Sequence, residues 1–108
     1  LLASIAAAVT TGRPLPGNTH PTPTGGVLLL TYEDSLSDTI KPRFAAAGAD
    51  MRRVFCPEFT QTVGGITSER QPVLPDDIAA LQQIIEHRQV RLCIIDPLMA
   101  AIGGDGAD

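Results

Sequence analysis

The chain of 108 residues carries eight Lys and Arg against twelve Asp and Glu, a net charge of −4, and 44% of its residues are hydrophobic. Leu, Ile, Val and Phe alone make up roughly 27% of it, above the level of about 20% below which a chain buries too little apolar surface to fold. A disordered tail is therefore excluded and one domain, or part of one, is expected, while the acidic balance excludes a chain-wide basic footprint for gripping nucleic acid.

Leu1, Leu2, Ile5, Ala8 and Val9 recur at helical spacing, and Gly12 stands where a C-terminal cap belongs, so the chain opens on a helix. This apolar stretch is about half the roughly 20 residues that span a bilayer and lacks the basic flank of a signal peptide, which points to the cytoplasm. From Gly12 to Gly26, eight of fifteen residues are Gly or Pro, so residues 13–26 are expected as a loop. Residues 27–32 form an apolar run of the length of a strand covered on both faces, ending at Glu33-Asp34. Ser35 is a good helix cap, and Leu36, Ile40 and Phe44 follow at helical spacing, with Gly48 as the stop. Pro42 inside that pattern predicts a kink, or two short helices meeting near Lys41.

Residues 51–56 read as a second strand, and residues 57–74, with Gly64-Gly65 and Pro72, as a long loop. Pro75 at a first helical position, Asp76 and Asp77 in the first turn, and Ile78, Leu81, Ile84 and Ile85 on one face predict a third helix that ends near His87 and Arg88. Residues 90–95 give a third strand before Asp96-Pro97. Alternating helices and strands with right-handed crossovers make an α/β protein of three layers, a mostly parallel sheet with flanking helices. Cys56 and Cys93 have no metal-ligand spacing and are expected to be buried free thiols. His20 reads as a loop residue and His87 as a helix-end cation.

In open α/β sheets ligands bind beyond the carboxyl ends of the strands, and two of the three predicted strands end in carboxylates there, Glu33 and Asp96. Arg91-Leu92-Cys93-Ile94-Ile95-Asp96 has the form of a Walker B strand, in which a buried apolar run delivers an Asp to the water shell of a nucleotide-bound Mg²⁺. Taken alone, Asp96 is equally a loop cap, Glu33-Asp34 a helix-capping pair and Arg43 a solvated helix residue.

Four segments together resemble a known family. Leu1-Leu2-Ala3-Ser4-Ile5-Ala6-Ala7-Ala8-Val9-Thr10-Thr11-Gly12 is similar to the helix after the phosphate loop of RecA-like ATPases of the RepA hexameric helicase type, members of the AAA ATPases. Gly26-Val27-Leu28-Leu29-Leu30-Thr31-Tyr32-Glu33-Asp34 resembles that family's second core strand, Thr39-Ile40-Lys41-Pro42-Arg43-Phe44 its following helix, and Ile94-Ile95-Asp96-Pro97-Leu98 its Walker B strand.

The resemblance implies a partial RecA-like P-loop core, with residues 1–108 the central part of a single ATPase domain that lacks the Walker A side and the later strands. It implies that Glu33 is the catalytic base, that Asp34 and Arg43 support the nucleotide site, and that Asp96 holds Mg²⁺ through water. ATP and Mg²⁺ are the implied ligands of the parent protein, with neither expected to bind this chain tightly. DNA contacts are implied through parts of the parent outside this chain, a homo-hexamer as the assembly, and no membrane partner. No G-x-x-x-x-G-K-[ST] occurs, and the family pattern places that motif immediately before Leu1, so the chain alone is expected to be inactive. The alternative is a non-catalytic α/β binding module with an acidic, cation-binding edge.

Overall fold

The computed structural model describes residues 1–32 and 39–102. The chain opens with α1 (Leu2–Thr11), in which Ala6, Ala7, Ala8 and Val9 are buried, and the N–H of Gly12 closes it on the Ala8 carbonyl. A segment without helix or strand leads to β1 (Gly26–Thr31), one residue ahead of the predicted run. α2 (Lys41–Ala46) carries Pro42 in its first turn. Thr39 and Ile40 are π-helical and lead straight into α2, so two helical pieces meet at Lys41, as the proline predicts, and Pro42 falls in a first turn, where its missing N–H needs no intrahelical partner. The predicted Ser35 cap and Leu36 lie outside the described residues.

The second predicted strand is largely replaced by a 3₁₀ turn, Met51–Arg53, and only β2 (Val54–Phe55) pairs. Asp50 causes the turn: its carboxylate accepts from the Arg52 N–H at 3.1 Å and from the Arg52 side chain. The predicted loop over 57–74 contains a hairpin of β3 (Phe59–Val63) and β4 (Ile66–Arg70). Gly64 and Gly65, at φ 59° and 81°, form its two-residue turn, which needs positive φ at both positions.

α3 (Ile78–His87) begins three residues later than Pro75. Asp77 occupies the cap position, yet its side chain does not cap the helix. It instead accepts two bonds from Arg70, at 2.6 and 2.9 Å, and one from the Val73 N–H at 2.7 Å. A bidentate guanidinium outcompetes a single helical N–H for a carboxylate. β5 (Val90–Asp96) and α4 (Leu98–Ala101) complete the described elements.

The sheet runs β2-β1-β5, all parallel, with β3-β4 a separate antiparallel ribbon. β1 lies in the middle, and its side chains alternate between two cores. Val27 and Leu29 pack with Ala6, Val9, Phe44 and Ile94 under α1 and α2, whereas Leu28 and Leu30 pack with Leu81 of α3. This is the expected three-layer α/β arrangement, that of a partial RecA-like core. Each large aliphatic side chain fully buried is worth about 1.5–3 kcal/mol, so the centre of the sheet carries more of the stability than its rim. β5 is the outer strand among the described residues, which is why Cys93, expected to be buried, is exposed; Cys56 is half-buried. No helix of the described residues is long and apolar enough to cross a membrane.

Candidate functional site

Parallel pairing brings the carboxyl ends of β1 and β5 level, with Thr31 beside Asp96 in the register. The Tyr32 N–H donates to the Asp96 carbonyl at 3.0 Å, which extends the pairing one step past β1. Asp96 therefore leaves the sheet at the edge where α/β proteins place their ligands.

A cleft of about 370 Å³ opens at this point. Its walls are Leu1, the first residues of α1 (Leu2 and Ala3) and Thr39, Ile40, Arg43 and Phe44, and Asp96 reaches it from β5. Phe44 is anchored in the core, so the exposed Arg43 one residue before it is held at the mouth of the cleft. Arg43 and the Asp96 carboxylate thus share a single opening.

The structure brings Asp96 and Arg43 together, two of the four residues singled out in the sequence. Glu33 and Asp34 lie outside the described residues. Mg²⁺ is commonly held by one or two carboxylates, with waters and substrate phosphates completing its octahedron, and Asp96 offers one such carboxylate. Among the described residues no three His, Cys, Asp or Glu side chains cluster into an all-protein cage.

A second cleft, of about 270 Å³, lies on the far side of the β1 terminus, where the hairpin meets the sheet; Tyr32, Cys56, Glu58 and Glu69 are among its walls. Burial pushes the Tyr32 phenol above its ordinary range, and the Asp77 carboxylate adds to the effect. Burial likewise raises the Cys56 thiol, so neither is primed as an anion. Hydrogen bonding from Arg70 holds Asp77 below the usual carboxylate range. The sequence reading missed this cluster. Its signal was Gly64-Gly65 between β-branched Val63 and Ile66, a hairpin cue that puts Phe59 opposite Arg70.

The family model described as AAA domain matches residues 1–108, and the chain belongs to that family. The three-stranded parallel core with helices on both faces and the family match together make this a P-loop ATPase-type domain. No curated protein and no solved structure matches the chain.

Proposed function

We propose that the cleft at the ends of β1 and β5 is the Mg-ATP site of a RecA-like ATPase of the hexameric helicase type, coupling hydrolysis to DNA unwinding or another replication or mobile-element task. The observation that carries this reading is the meeting of Asp96, Arg43 and the start of α1 around one opening, in a chain of the AAA domain family. Asp96 orients the water shell of the metal. Arg43 offsets phosphate charge. Glu33, which follows Tyr32 directly in the sequence, takes the proton of the attacking water, and Asp34 supports it. When bound, Mg²⁺ supplies charge neutralisation to the phosphates. DNA contacts, made by parts of the parent protein, and a homo-hexameric assembly belong to the same proposal, as does the inactivity of these 108 residues alone.

The test uses the intact polypeptide encoded by the gene. Glu33→Gln is expected to lower kcat by about 10²–10⁴-fold, the usual contribution of a general base, with ATP affinity retained. Duplex unwinding should fall in parallel. Unchanged turnover in Glu33→Gln removes that residue from the mechanism. ATPase activity without strand separation on any duplex refutes the helicase role, and absence of ATPase activity in the intact protein leaves the acidic edge as a binding module.

A further inference from the structure

Residues 71–74 leave the hairpin, run across the carboxyl end of β1 and reach the end of α4. The Gln71 side chain donates Nε2–H to the Thr31 carbonyl at 3.1 Å, and the Tyr32 hydroxyl donates to the Pro72 carbonyl at 2.6 Å. Two residues on, the Leu74 N–H donates to the Ala101 carbonyl at 2.6 Å, and Leu74 bridges in parallel to Ile102. The strap thus ties the end of β1 to the chain that follows Asp96. Asp96 is held from both sides: its own carbonyl accepts from the Tyr32 N–H at 3.0 Å, and α4, which begins two residues later, is pinned by Leu74.

The strap is itself fixed at its origin. Arg70, the last residue of β4, forks onto Asp77 at 2.6 and 2.9 Å and lies over the Phe59 ring at 5.2 Å. Apart from this base, the hairpin residues 60–69 are exposed. The backbone at Asp96 is therefore coupled to a projecting arm through one short run of hydrogen bonds.

We propose that Tyr32 and Gln71 are positioning residues for the metal-binding carboxylate, holding Asp96 in place through the strap. This rests on the reading of Asp96 as the Mg²⁺ residue. Neither side chain is among those lining the Asp96 cleft; each acts by fixing backbone. A strand end that frays lets its terminal side chain sample geometries unsuited to an octahedral ion, and ties across the end suppress this.

The experiment measures, in the intact protein, the Mg²⁺ concentration that half-saturates binding of a non-hydrolysable ATP analogue by calorimetry. Amide exchange at Tyr32 and Leu74 is followed in parallel. Tyr32→Phe and Gln71→Ala should each raise that concentration about two- to tenfold, the worth of one net hydrogen bond, and speed exchange at both amides. Asp96→Asn should raise it further, and Tyr32→Phe added to Asp96→Asn should change nothing more, because the two act in series. A shift in Asp96→Asn with none in Tyr32→Phe or Gln71→Ala overturns the strap inference and leaves the Asp96 reading intact. A full additional shift in the double variant also overturns it. No shift in Asp96→Asn overturns the Asp96 reading, and the inference falls with it. Gln71 is exposed, so Gln71→Ala keeps the test available if Tyr32→Phe fails to fold.

Discussion

Thr10 offers a sharp test of how α1, and with it one wall of the cleft, is fixed in place. It is 1% exposed. Its hydroxyl donates to the Ala6 carbonyl at 2.8 Å and accepts from the Asp50 N–H at 2.9 Å, joining the end of α1 to the 3₁₀ turn before β2. Valine keeps the shape and removes both bonds. The Ala6 carbonyl keeps its helical partner, so the main loss is the half-buried Asp50 N–H left unpaired. That costs about 1–3 kcal/mol, partly offset by burying a methyl in place of a hydroxyl. Thr10→Val is therefore expected to destabilise the chain by about 1–2 kcal/mol. Thr10→Ser keeps the bonds and deletes one methyl, for about 0.5–1.5 kcal/mol. Thr10→Ala combines both losses. Urea unfolding at constant m-value reads the totals, and amide exchange at Asp50 separates the causes. Protection there should fall in the Val and Ala variants and persist in Ser. Wild-type stability in Thr10→Val, or full Asp50 protection without the hydroxyl, refutes the reasoning.

Part of the acid sensitivity should trace to Asp77, whose carboxyl is held low chiefly by its hydrogen bonds from Arg70 and also by the Val73 N–H. A depressed folded-state value means that the unfolded chain binds the proton more tightly. Its stabilisation is thus complete above the unfolded carboxylate value of about 3.9 and is lost as pH falls toward the lower folded value. Asp77→Asn should flatten the stability profile in that window, and an unchanged profile by acid titration of unfolding rules Asp77 out as its source. The outer edge of β5 has no partner strand among the described residues, and an apolar edge without proline templates association. Sedimentation of the 108-residue chain over a concentration series should show self-association; a monomer throughout means that the edge is covered.

The sequence made the central layers legible because burial on both faces leaves an unambiguous mark. The run from Val27 to Leu30 has no polar residue to suggest an exposed face, and Asp96 closes the only comparable run near the end of the chain. What escaped was decided by side-chain competition rather than periodicity. Asp50 turned a predicted strand into a 3₁₀ turn by accepting from Arg52. Asp77 delayed α3 because Arg70, seven residues away, took the carboxylate that read as a helix cap. The hairpin was hidden because its strands alternate Thr, Gln and Ser with few apolar residues, leaving the Gly-Gly turn as the main cue. Of the site, Asp96 and Arg43 were named from the sequence and share one cleft, whereas the strap through Tyr32 and Gln71 depends on contacts forty residues apart, which no local pattern records.

The pairing of Phe59 with Arg70 means that the chain enters and leaves the arm at neighbouring points, about 5 Å apart in an antiparallel ladder. Seen from the core, everything between those residues is a closed loop. Its conformational cost grows only with the logarithm of its length, by about 0.6 kcal/mol per doubling. Residues added or removed in cross-strand pairs preserve which face each side chain occupies. The reach of the arm is therefore an adjustable dimension of this molecule, one that can lengthen or shrink while Thr31 and Asp96 stay where the sheet puts them.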